Sequence, residues 1–163
     1  MKLELTDQQK MIQKMVKEIA EKEVAPIAQE LDEKGVYPTK TLEKMAKLGL
    51  LGIIIPSEFG GAGLDTISYS IVVEEISRKC ASTGVITSVH NSLTAWPIMK
   101  YGNEEQKKKY LPILAKGEKI GAFAATEPNA GSDLGALRTT AVLKGDKYII
   151  NGDKTFITSG PEA

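Results

Sequence analysis

The chain has 163 residues, 42% of them apolar and 26% charged, enough for one soluble globular domain or for one domain with part of a second. Lys plus Arg and Asp plus Glu both number 21, so the balanced charge gives no electrostatic argument for a nucleic acid or an anionic membrane as partner. The single cysteine, Cys80, excludes an intrachain disulfide, and the single histidine, His90, excludes a multi-histidine metal site.

The N-terminus, Met1 to Leu5, has no apolar signal region, and no run approaches the ~20 apolar residues of a membrane span. A cytoplasmic or mitochondrial-matrix location is the expectation, in keeping with the lone cysteine. Thr6 to Gln9 is a capping-box pattern. Met11, Ile12, Met15, Val16, Ile19 and Ala20 follow at spacings of three and four and predict one apolar helical stripe. Pro26 kinks or interrupts this helix, and the segment closes at Gly35. A short helix is predicted from Thr39 to Leu48, stopped by Gly49.

The apolar run Leu50 to Ile55 ends at Pro56 and leads into a glycine-rich loop, Phe59 to Gly63. No phosphate-binding helix pattern opens from that loop, so a nucleotide cradle is only the lesser reading of it. Asp65 or Thr66 caps a helix with Ile67, Ile71, Val72 and Ile76 directed inward. Ala81 to Tyr101 is rich in small residues and predicts a closely packed helix bent at Pro97. Asn103 to Gln106 caps another helix, with Lys107 to Lys109 on a solvated face or, alternatively, at an anion site.

At about Gly117 the period changes from helical to alternating. Strands are predicted at Ile120 to Thr126, Leu137 to Leu143, Lys147 to Asn151 and Lys154 to Thr158, with turns at Glu127 to Asp133, Lys144 to Asp146 and Asn151-Gly152. The fold class is mostly α with a C-terminal β portion. A helical-bundle domain at 1–116 precedes the first strands of an incomplete, barrel-like β domain at 117–163. Four short strands with open edges make a poor unit alone, which implies more chain or a covering partner.

Thr126 ends one predicted strand, and Ser132 follows a Pro/Gly turn. In a strand at 154–158, Phe156 and Thr158 share a face. Hydroxyls, free N–H groups and an aromatic ring make a seat for a flat phosphorylated heterocycle. On the residues alone, ordinary turn residues are the better account. His90 reads as structural rather than as a general base, and Cys80 as a buried thiol rather than a reactive one. Trp96 and Pro97 read as packing.

Ala124-Ala125-Thr126-Glu127-Pro128-Asn129-Ala130-Gly131-Ser132-Asp133 resembles the flavin-loop signature of the acyl-CoA dehydrogenase family, and Lys154 to Gly160 resembles that family's second flavin segment. Ile53 to Gly63, Val72 to Ile76 and Tyr101 to Lys107 fit the family in the same order. The resemblance implies oxidation of an acyl-CoA thioester to trans-2-enoyl-CoA, with FAD as cofactor and an electron-transfer flavoprotein as acceptor. It implies flavin-ring contacts from Phe123, Ala125 and Thr126, with Ser132 near the flavin pyrophosphate and the acyl-CoA. Phe156 packs on the ring in this reading, Ile157 lies beside it, and Thr158 bonds near N5. Ser88 to Leu93 is reminiscent of short-chain members.

Two positions depart from the family pattern. Ala125 replaces the usual Leu, Val or Met and shrinks a packing contact, and Phe156 replaces the common Trp and loses an indole N–H. In the family the catalytic glutamate, part of the flavin site and the core of a homo-tetramer come from a C-terminal helical domain. No catalytic residue is therefore assigned in this chain, and Glu127 is read as a turn or surface acid. The chain alone is expected to be inactive and to bind flavin weakly or not at all. The alternatives are a truncated, non-catalytic binding module and one half of a split enzyme.

Overall fold

The computed structural model describes residues 4–163; the signal-region reading of the N-terminus falls partly on residues 1–3, outside that range. Helix α1 (Asp7–Ile19) opens with the capping box: Gln9 N–H donates to Thr6 Oγ1 at 3.2 Å, and Thr6 N–H to Gln9 Oε1 at 3.0 Å. Ile12, Val16, Ala20 and Val24 form the buried line, while Met11 and Met15 are 73% and 41% exposed. The stripe is thus narrower than the sequence suggests, because α1 packs along a single neighbour, α4 (Thr66–Ser77).

A π-helical turn at Ala20–Val24 passes into α2 (Ala25–Lys34). Pro26 lies in the first turn of α2, after the extra residue has already shifted the hydrogen-bond ladder, so its missing N–H leaves no broken bond. Gly35, at φ 59°, closes α2 in the left-handed conformation.

Helix α3 (Thr39–Lys47) buries Leu42 and Met45 and ends just before Gly49. The apolar run that follows buries Leu50, Leu51, Ile53 and Ile55. The glycine-rich loop folds back on this run: Gly63 N–H bonds Ile55 O at 2.9 Å, and Leu64 N–H bonds Ile53 O at 2.8 Å. A Cβ on Gly61 would lie 2.0 Å from Ile55 O, so this glycine serves close backbone approach and not a nucleotide cradle.

Asp65 caps α4, its Oδ1 accepting from Ser68 N–H at 2.7 Å. Ile71, Val72 and Ile76 are buried, but Ile67, expected inward, is 54% exposed on the first turn. Gln9 Nε2 donates to Asp65 Oδ2 at 3.0 Å and joins the starts of α1 and α4. The small-residue segment forms α5 (Ala81–Ser88), a π-helical turn (Val89–Ala95) and α6 (Trp96–Tyr101), with Pro97 in the first turn of α6. The bend at Pro97 is again taken up by the wider turn before it. Helix α7 (Glu104–Ala115) carries a second capping box, between Asn103 and Gln106, and Lys107 pairs with Glu104 on its outer face.

The β portion is smaller than expected. Among the described residues the only ladder is the antiparallel pair β1 (Thr140–Lys144) and β2 (Lys147–Asn151), in register from Thr140↔Asn151 to Lys144↔Lys147. Residues 120–126 and 154–158, predicted as strands, are not. Alternation supplies the right side chains, but a strand exists only when its backbone groups meet a neighbouring strand. Here they bond elsewhere: Gly121 N–H to His90, Ala125 O to Lys154, and Thr126 O to Thr155 N–H. Phe156 is left-handed, at φ 56°, so the shared strand face predicted for Phe156 and Thr158 does not exist.

Candidate functional site

The chain leaves α7 through Gly117 and runs extended past the π-helical turn that holds His90. His90 is fully buried. Its Nδ1 accepts from Gly121 N–H at 3.0 Å, and its Nε2 faces Leu114 O at 3.1 Å. A backbone N–H only donates, so Nδ1 is the unprotonated nitrogen and Nε2–H donates to Leu114. One imidazole thus ties three elements together two residues before Phe123. Burial lowers its pKa, with the Leu114 and Leu51 backbone opposing. Cys80 is also buried, and its Sγ accepts from the Thr83 hydroxyl at 3.2 Å.

Beyond Thr126 the backbone closes a tight turn: Glu127 N–H bonds Ala130 O at 2.9 Å, and Ala130 N–H returns to Glu127 O at 3.1 Å. Glu127, expected as a turn or surface acid, is only 7% exposed. Its carboxylate accepts from Arg138 N–H at 2.7 Å, Thr139 N–H at 2.9 Å and Lys154 Nζ at 2.9 Å. The Thr139 side chain, the Arg138 N–H, the Lys154 ammonium and the Thr139 N–H hold its pKa at about 2, against an ordinary 4.5. Thr139 Oγ1 itself makes no hydrogen bond of ordinary geometry, so the N–H groups and the ammonium are the firm contacts. A carboxylate so fully donated to is a structural anion and a poor proton acceptor.

Lys154 Nζ also donates to Ala125 O at 2.8 Å, and Thr155 N–H to Thr126 O at 3.0 Å. The two segments singled out in the sequence are therefore adjacent, although no strand ladder joins them. Ala125, Thr126, Ile157 and Thr158 are half-buried, whereas Phe123 and Ser132 are exposed. The Phe156 ring is 91% exposed. Thr158 and Ser159 share a cleft of about 410 Å³ with Tyr37, Ala81, Ser82, Val85 and Ile86. Ser132 stands apart on the loop, its carbonyl accepting from Leu134 N–H at 3.1 Å.

An exposed aromatic ring, half-buried hydroxyls on adjacent segments and an open backbone at Gly131 fit the edge of a flat heterocycle. The sequence reading missed Lys154, Tyr37 and the burial of Glu127. Only the acid and the lysine left a signal, as charged residues flanking two turn-rich segments. Tyr37 Oη lies 2.8 Å from Ser159 Oγ across 122 positions of sequence, which no local pattern encodes. Among the described residues no cluster of His, Cys, Asp or Glu suits a metal ion, and no helix is long and apolar enough to cross a membrane.

Residues 6–118 match the family model for the acyl-CoA dehydrogenase N-terminal domain, and residues 122–163 match that for the middle domain. A short-chain-specific acyl-CoA dehydrogenase of Clostridium acetobutylicum is 55% identical over 98% of this chain, which spans 42% of that relative. A solved chain described under the electron transferring flavoprotein of Acidaminococcus fermentans superposes with a TM-score of 0.95 and 50% identity, over 100% of this chain and 43% of its own. An acyl-CoA dehydrogenase from Bacillus anthracis, complexed with FAD, superposes with a TM-score of 0.91 and 39% identity, over 98% of this chain and 28% of its own. The chain thus spans less than half the length of these relatives. With its helices in the N-terminal domain and residues 122–163 in the middle domain, the chain belongs to the acyl-CoA dehydrogenase family.

Proposed function

We propose that this chain forms part of a flavin-dependent enzyme that dehydrogenates a short-chain acyl-CoA thioester to the trans-2-enoyl-CoA. The observation that carries the reading is the pairing of the two motif segments: Ala125-Thr126 and Lys154-Thr155 are bonded side by side, with Phe156 exposed next to them. Family membership supplies the reaction, and the FAD in the B. anthracis relative supports the cofactor.

The residues divide the work by chemistry. FAD, when bound, supplies the ring whose N5 accepts the β-hydrogen of the acyl chain as hydride. Phe156 and Phe123 offer apolar faces to a planar ring. Thr126 and Thr158 offer hydroxyl donors, which stabilise negative charge developing on a reduced ring. Ser132 and the neighbouring turn N–H groups would hold the flavin phosphate and the acyl-CoA. Ala125 contributes mainly its backbone, and Ile157 lines the edge beside Phe156. Glu127 is committed to three donors, the Arg138 and Thr139 N–H groups and the Lys154 ammonium, and takes no α-proton; no residue of this chain is assigned as the base.

The same reading gives the protein an electron-transfer flavoprotein as acceptor, a homo-tetrameric assembly and a location in the cytoplasm, or in the matrix of a eukaryote. It divides the chain into a helical unit at 1–116 and a flavin-contacting unit at 117–163. The test is made on the native polypeptide that carries this sequence, purified from its source cells. Bound FAD should be released on denaturation, and butyryl-CoA should bleach the flavin absorbance. Absence of both in folded protein rejects the reading.

A further inference from the structure

The stretch from Lys154 to Ser159 is fastened at both ends. At its start Lys154 Nζ bonds Ala125 O and Glu127 Oε1, and Thr155 N–H bonds Thr126 O. At its end the buried Ser159 bonds Tyr37 through the two hydroxyls. Between these fastenings Phe156 stands at φ 56°, and Ser159 itself at φ 61°. Residues other than glycine avoid this region and hold it only where the surroundings over-determine it. Packing does not explain Phe156, since its ring is almost wholly exposed.

The fastening at the start is unusual for a lysine. The Lys154 side chain is 24% exposed and that of Glu127 only 6%, so the ion pair is partly buried, with the carboxylate on its inner side. Glu127 is in turn fixed by the Arg138 and Thr139 N–H groups, which lead directly into β1. Loss of the ammonium would leave a buried carboxylate short of one donor and free the carbonyl of Ala125.

We propose that Lys154 and Glu127 are positioning residues: their partly buried ion pair holds Phe156 in its left-handed conformation and fixes the spacing between Ala125-Thr126 and Phe156-Thr158. Their effect on flavin binding rests on the function proposed above; their effect on Phe156 does not. The pair acts through the backbone it grips and exchanges no proton with substrate.

The test compares the native polypeptide with its Lys154→Met, Lys154→Arg and Glu127→Gln variants by NMR and by FAD titration. A strong intraresidue amide-to-Hα contact at Phe156 reports the positive φ. Lys154→Met should abolish it and speed amide exchange at Thr155 about tenfold, with exchange in α4 unchanged. Lys154→Arg, still able to donate to both oxygens, should restore both signals. FAD affinity should fall about tenfold in Lys154→Met and recover in Lys154→Arg. Should Lys154→Met fail to fold, Glu127→Gln, which keeps an acceptor but removes the charge, is scored by the same signals. Retention of positive φ at Phe156 in folded Lys154→Met or Glu127→Gln overturns the proposal, as does an equal rise of exchange in α4. A native protein that shows the Phe156 signal but takes up no FAD rejects the flavin reading and leaves the positioning role supported. FAD affinity that persists after the Phe156 signal is lost overturns the pair's part in flavin binding.

Discussion

His90 shows how a single buried side chain organises backbone that forms no sheet. Its Nδ1 satisfies Gly121 N–H, which would otherwise be buried unpaired, and its Nε2–H gives Leu114 O a second donor beside Gly117 N–H. His90→Leu should therefore lower the unfolding free energy by about 1–3 kcal/mol in urea titrations, and a change under about 0.5 kcal/mol would show that the tie is dispensable. The imidazole also sets a pH dependence. Its folded pKa lies below the ordinary 6.5, so below that pH the unfolded chain binds the proton more readily. Stability should fall as pH drops from 6.5, and His90→Gln should flatten that slope; identical slopes would remove His90 as the cause. Glu127 acts at lower pH. Its stabilising contribution is complete above 4.5 and is lost as pH falls toward 2, a second acid transition that Glu127→Gln should abolish.

Element contacts rest on small residues as much as on apolar ones. A Cβ on Gly84 would lie 1.9 Å from Ser77 Oγ and 2.9 Å from Ser77 Cα, so α5 crosses the end of α4 without room for a methyl group. Gly84→Ala should destabilise by about 1–3 kcal/mol despite the better helix propensity of alanine; a stabilised variant in thermal melts would contradict the close approach. The two π-helical turns, at Ala20–Val24 and Val89–Ala95, do related work. Each admits one extra residue just ahead of a proline and lets the helical path continue with a new facing. The second also sets His90 and Thr94 against the backbone at Gly121.

At the scale of the molecule the helical layers and the hairpin differ sharply. The helices share a continuous apolar core built from α1, α3, α4 and the Leu50 to Ile53 run, with a second cluster around Leu111 and Ile55. The hairpin buries neither face: Val142, Leu143, Tyr148, Ile149 and Ile150 are all exposed. A two-stranded ribbon with open edges is marginal alone and a template for pairing. Amides of β1 and β2 should exchange far faster than those of α4, and Ile150→Lys should reduce self-association in sedimentation at high concentration. Equal protection in hairpin and helices would show that the ribbon is stabilised by contacts the chain does not make here.

The sequence by itself determined the helices, their caps and the family. Capping boxes at Thr6 and Asn103, glycine stops at Gly35 and Gly49, and the inward line through Ile71, Val72 and Ile76 are local signals, each written within a few residues. The motif segments at 124–133 and 154–160 were equally legible as text. Their conformation was not, because strand formation depends on a partner that alternation does not name. Only tertiary structure decided that 120–126 and 154–158 bond to His90, Lys154 and each other instead of to strands. Only tertiary structure sank Glu127 beneath the turn and turned Phe156 outward at positive φ. These outcomes depend on contacts across 11 to 31 positions, where backbone hydrogen bonding and the desolvation of charge outweigh local pattern.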